Sequence, residues 1–195
     1  MTTLADALRD LERRMTALGR HDAVRALRPG AAPDRTSATL ADRGLPALPD
    51  VQELFAWHDG VEPPPDDVMD DVQVFPGYHL LSLGEALEDR DVGVEHRGWD
   101  PLWLPVLANV GGDVFAVDLG APPGRVVRVM GDEAERPVVF TSVHGLVTTL
   151  VDAYERGVVR VEGGYLELDD LAFGRMAAER EPGLAWWAAY VAGEA

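Results

Sequence analysis

Leu4, Leu8, Leu11, Met15 and Leu18 recur at three- and four-residue steps, with arginines and acids between them. That is the repeat of a helix with one apolar stripe. Thr2 or Thr3 is placed to cap its start, and Gly19 to stop it. A second short helix is predicted over 22–27, ahead of the Arg28-Pro-Gly-Ala-Ala-Pro33 segment, whose prolines and glycine break regular structure. Further helical patterns cover 34–43 and 50–58. In the latter, Val51, Leu54 and Phe55 share a face, His58 sits at its end, Asp50 is the cap and Asp59-Gly60 the stop.

The pattern then changes. From 61 to 71 the chain is acidic and proline-rich, which predicts a solvated loop, because burying unpaired carboxylates is costly. Strands are expected at 72–75 and 78–81 about a Pro76-Gly77 turn, and a helix at 82–88 opened by a Ser82/Glu85 capping box. From Leu102 to Leu107 and again from Val114 to Leu119 the side chains follow a two-residue period, the mark of pleated strands. Gly111-Gly112 between them supplies the positive φ angles of a tight hairpin turn. Pro105 lacks a ladder donor, so its strand is expected at an edge or to begin with a bulge. Asp113 is expected to bond the amides of the turn.

Two more strands are predicted at 125–130 and 138–140, followed by a helix capped by Ser142 that runs to 156. Beyond it, 158–161 and 165–168 straddle Gly163-Gly164 as a small hairpin, with helices at 169–179 and 183–191. Helices mixed with antiparallel strands, without βαβ alternation, define an α+β fold with a largely antiparallel sheet packed by helices. The expected organisation is a domain over 1–157 and a C-terminal hairpin-and-helix extension over 158–195, packed on it.

Composition narrows the chemistry. Thirty-four acids stand against 17 arginines, with no lysine, for a net charge of −17. Such a field repels nucleic acid and anionic lipid, since phosphate binding depends on Lys and Arg, and it steers basic partners inward. The absence of cysteine removes disulfides, thiolate nucleophiles and cysteine–zinc sites. The opening residues lack a basic segment followed by an apolar core, and the longest apolar run, 184–192, is far below the roughly 20 residues of a membrane span. A cytoplasmic protein without membrane contact is expected.

The ordered series Leu45-Pro46, Trp57-His-Asp59-Gly60, Phe75-Pro-Gly-Tyr-His-Leu-Leu-Ser-Leu-Gly-Glu-Ala86, Trp103-Leu-Pro105, Gly111-Gly-Asp113 and Asp118 resembles the SUKH superfamily, the Smi/Knr type, over about residues 25–155. The resemblance implies an α+β domain that binds proteins. Bacterial members of that family are immunity proteins that neutralise toxins, often nucleases or deaminases, and fungal members are regulatory scaffolds of cell-wall assembly. It carries no family-wide binding residues onto named positions, and it does not reach the segment after about 157.

The sequence offers little for catalysis. There is no nucleophile elbow, metalloprotease helix, phosphate loop or dinucleotide fingerprint. Ser37, Ser82 and Ser142 are the only serines, and His21, His58, His79, His96 and His144 lack metal-ligand spacing. Asp66, Asp67, Asp70 and Asp71 place four carboxylates in six residues, but without the alternating ligands and central glycine of a calcium loop. No metal, cofactor or enzymatic activity is expected. Trp57, Trp99 and Trp103 are expected to pack the core, and of the adjacent Trp186 and Trp187 only one can face inward. The expected function is immunity by occlusion of a basic toxin domain, over roughly 1,200–2,000 Å² of buried surface. The partner-binding face is assigned to Asp59, Glu62, Asp66, Asp67, Asp70 and Asp71. The alternative is a regulatory or scaffolding protein of the same fold with no toxin partner.

Overall fold

The centre of the molecule is a five-stranded antiparallel meander that follows chain order: β3 (His79–Leu80), β4 (Trp103–Ala108), β5 (Val114–Asp118), β6 (Arg125–Val129) and β7 (Val138–Phe140). The structure is a computed structural model that describes residues 2–64, 68–131 and 133–193. Among the described residues, eight α-helices and nine strands form an α+β fold whose sheets are all antiparallel.

The β4–β5 hairpin forms where expected, but with a longer turn in which only Gly112, not Gly111, takes positive φ, at +85°. The register shifts between Pro105 and Leu107. Proline has no N–H for the ladder, so the strand bulges there. β3 pairs with β4 only at Leu107 and Ala108, which leaves Pro105 beyond its end. Val114, Phe115, Ala116 and Val117 are all buried in succession, so β5 is covered on both faces. Asp113 is fixed differently from expectation: Oδ1 accepts from the Gly131 amide at 2.8 Å and Oδ2 from Asn109 Nδ2 at 2.9 Å. Its carboxylate closes the turn through the Asn109 side chain and also ties the hairpin to the loop after β6, so the backbone amide it takes is that of Gly131 and not one of its own turn.

Helix α1 (Leu4–Ala17) buries Leu4, Leu8, Leu11 and Met15 against α6 (Val143–Glu155) and α4 (Pro49–Trp57). A Thr3/Asp6 capping box starts α1, and Ser142 Oγ accepts from the Gly145 amide to start α6. Helix α3 (Pro33–Asp42) supports α4. In α4 the cap expected at Asp50 is a correction: Leu48 is the cap residue and Pro49 occupies the first turn. Proline suits that position because its missing N–H would be unpaired there anyway. Asp50 instead reaches the His144 backbone amide, and burial raises its carboxyl above the usual range.

The helix expected to run to His58 ends at Trp57, because His58 begins a strand. β2 (His58–Val61) pairs with β1 (Leu27–Pro29), across residues read as helix stop and irregular chain. His58 Nδ1 lies 2.7 Å from the Arg28 carbonyl, and Glu12 Oε2 accepts from Trp57 Nε1 at 3.2 Å. Residues 72–75 are likewise no strand. A 3-10 helix occupies Met69–Val72, and a single bridge joins Phe75 to Tyr78. Helix α5 (Leu83–His96) opens on the expected Ser82/Glu85 box but runs well past 88. It continues because Trp99 folds back onto Gly93, where any Cβ would collide with the indole.

After α6 come the hairpin β8 (Val159–Glu162) and β9 (Tyr165–Leu168), then α7 (Asp170–Arg180) and α8 (Ala185–Ala192). Phe173, Ala177 and Trp187 from this segment are buried in the common core. Trp187 Nε1 donates to the Val139 carbonyl at 2.5 Å, and Glu181 is buried with Oε2 accepting from the Thr141 amide at 3.3 Å. Glu181 Oε1 lies where a Cβ on Gly145 would sit, which puts a carboxylate at the positive end of α6. No helix among the described residues is long and apolar enough to cross a membrane.

Candidate functional site

The predicted partner face is assembled by the end of β2 and the 3-10 helix, held side by side by α2 (His21–Ala26). Glu62 follows β2 directly, its amide donating to the Ala26 carbonyl at 2.7 Å. Asp70 and Asp71 lie in the 3-10 helix. Arg20, itself buried, donates to the Asp70 carbonyl oxygen at 2.6 Å and holds that turn in place. A shallow groove of about 570 Å³ runs between them, lined by Asp22, Glu62, Asp71, Arg25 and the Pro63-Pro64 pair.

The two solvent-accessible arginines near the groove already have carboxylates, while the buried Arg20 bonds the Asp70 carbonyl oxygen instead. Arg25 pairs with Asp22, and Arg28 with Glu62 at 2.9 Å. Among the described residues no arginine pairs with Asp70 or Asp71. Asp70 Oδ1 accepts from Gln73 Nε2 at 2.5 Å, and Asp71 is exposed. The face therefore presents acid in excess of base, on side chains accessible to solvent.

Asp59 is placed apart from this group in its chemistry. It is half-buried, and Oδ1 accepts from the Leu83 amide at 2.7 Å, satisfying one of the free donors at the start of α5. Gly60 beside it takes φ +84° and lies against Ser82, where a side chain would strike backbone. Asp59 thus fastens β2 to α5. Asp66 and Asp67 lie outside the described residues.

The chemistry available elsewhere is mostly structural. Ser82 and Ser142 cap helices, and Ser37 Oγ donates to the Pro33 carbonyl at 2.9 Å. Among the described residues no group of three or more His, Asp or Glu is arranged to hold a metal ion. Burial lowers the pKa of His79 and raises that of Asp89.

A second concavity, of about 180 Å³, opens between the β5–β6 strands and the C-terminal helices. Two stacked pairs wall it, Phe75 on Tyr78 at 5.6 Å and Trp186 on Tyr190 at 5.2 Å. Phe115 closes one side with its ring 4.8 Å from Tyr78. The Arg128 guanidinium lies 5.4 Å from the Trp186 ring centroid and makes two hydrogen bonds to Glu133, at 2.5 and 2.9 Å. Burial, with the Asp113 charge second, pushes the Tyr78 phenol up to about 12. Of the adjacent tryptophans, Trp187 is buried and Trp186 partly open, as their angular offset on a helix requires. The four-residue step from Trp186 to Tyr190 was the visible signal for this wall; the approach of Tyr78 and Phe115 had none.

No family model matches the chain, and comparison with the curated proteins finds no match.

Proposed function

We propose that the chain is a protein-binding module that docks a basic partner on its acidic face, and that the partner is a toxin domain whose active site it occludes. The observation that carries the docking reading is the gathering of Asp22, Glu62, Asp70 and Asp71 on one exposed face, where Arg25 and Arg28 are already paired and Asp70 and Asp71 pair with no arginine among the described residues. With a net charge of −17 behind it, such a face attracts a cleft built to hold phosphates and raises the association rate. The toxin reading rests on the ordered motifs that resemble the SUKH superfamily. Glu62, Asp70 and Asp71, with Asp66 and Asp67, form the contact surface; Asp59 is the joint that holds it.

The test is capture from the source cells with the tagged full chain, followed by an activity assay on the captured protein. A basic toxin domain whose activity falls to background at one equivalent of the chain is the expected result. A partner that is harmless when expressed alone, or whose activity the chain leaves unchanged, overturns the proposal.

A further inference from the structure

The aromatic concavity between the central sheet and the C-terminal helices is chemically different from the acidic groove, yet the two are mechanically joined. Gln73 is buried between them. Its Nε2 donates to Asp70 Oδ1 at 2.5 Å, and its Oε1 accepts from the Gly77 amide at 2.8 Å. One amide thus ties the acidic 3-10 helix to the Pro76-Gly77 turn at the rim of the aromatic pocket.

We propose that this pocket is an anchor site for a single arginine side chain of a protein partner, received between Tyr78, Trp186 and Tyr190 with Asp170 as its counter-ion. The volume of about 180 Å³ suits one flat group rather than a helix or a nucleotide. Aromatic faces attract cations, arginine more often than lysine because its planar guanidinium stacks. The chain itself shows that the wall accepts that group, for Arg128 already lies over Trp186.

Charge selects a cation over a neutral ring. Arg128 is neutralised by its two bonds to Glu133, so it does not repel a second guanidinium by a full charge. Asp170 is exposed on the pocket rim, in the first turn of α7, and no arginine among the described residues pairs with it. Asp113 lies close enough to raise the Tyr78 phenol further. At the pocket, Arg128 is balanced by Glu133 and Asp170 remains. The surplus is negative. This assignment extends the docking proposal, but it is tested without a toxin, so either can fail while the other stands.

The probe is the peptide acetyl-Gly-Arg-Gly-amide, titrated into the full chain while the Trp186 and Trp187 indole N–H resonances are followed. A saturating shift with a dissociation constant on the order of millimolar is expected, at least about fivefold weaker for the citrulline peptide, which keeps the shape and loses the charge. Asp170→Asn should weaken arginine binding by on the order of threefold, one unit charge acting over roughly 6 Å of water-like dielectric. Arg128→Gln should strengthen it by a similar factor, a gain that loss of folding cannot mimic. Equal binding of the citrulline or a phenylalanine peptide would overturn the proposal. So would no shift up to roughly 10 mM peptide, or unchanged affinity in both variants.

Discussion

Replacing Trp187 by alanine measures how far the C-terminal segment belongs to the cooperative core. The indole is buried, with ring centroids 5.5 Å from Phe140 and 5.8 Å from Phe173, and its N–H bonds the Val139 carbonyl in β7. Truncating a buried tryptophan costs about 3–5 kcal/mol in lost transfer energy and cavity. Leaving the Val139 carbonyl without its donor adds on the order of 1 kcal/mol. In a chain of this size each kcal/mol moves the melting midpoint by about 2–4 °C, so the expected fall is roughly 8–24 °C. Trp187→Phe keeps one aromatic ring in place but loses the donor and three buried heavy atoms, and should cost less than alanine, about 1–3 kcal/mol. Urea unfolding followed by circular dichroism and fluorescence gives both numbers. Coincident transitions, both displaced, are expected. A loss under about 1 kcal/mol, or a separate early transition that leaves the main one unmoved, would mean that the C-terminal segment is not part of the cooperative core.

Other perturbations test particular contacts. Gly93→Ala forces a Cβ into the Trp99 indole and should destabilise by about 1–3 kcal/mol, read from denaturation midpoints. Glu181→Ala removes the carboxylate from the start of α6 and frees the Thr141 amide, for about 1–3 kcal/mol by the same assay. Ser82→Ala breaks the α5 capping box and should cost about 1 kcal/mol. Burial holds the Asp50 carboxyl above its ordinary value, so the folded state binds that proton more tightly than the unfolded state. The Asp50 contribution to stability is therefore full below the ordinary aspartate range and is lost as pH rises through the raised folded value. Asp50→Asn retains an acceptor for the His144 amide. It should flatten the stability profile in that window and leave the protein at least as stable at about pH 7.

Local signals were legible in the sequence, and pairings distant along the chain were not. The Ser82/Glu85 capping box, the threonine cap of α1, the β4–β5 hairpin, the Pro105 bulge and the C-terminal helices depend on residues a few positions apart, where side-chain type and backbone geometry are directly coupled. The β1–β2 ribbon joins Leu27 to Val61, and nothing local in either stretch announces its partner. The half of helix α5 beyond 88 is fixed by Trp99 packing on Gly93, a contact that the local capping pattern does not announce. In the candidate site, the acidic run was conspicuous as composition, whereas Asp22 joining Glu62 and Asp71 across a groove depends on how α2 packs against the 3-10 helix. Asp59 belonged to the same acidic run by sequence, and only its bond to the Leu83 amide separates it.

An acidic face that steers and holds a basic partner must lose its advantage when its charges are removed or screened. Stopped-flow association of the captured toxin domain with the wild-type chain and with Glu62→Gln/Asp70→Asn/Asp71→Asn, over a range of ionic strength, tests this most directly. At about 0.05 M salt the triple variant should associate on the order of tenfold more slowly, with a shallower dependence on salt. At about 1 M, where the screening length is roughly 3 Å, the two rates should converge. Equal rates and equal salt slopes across the whole range would contradict steering by that face.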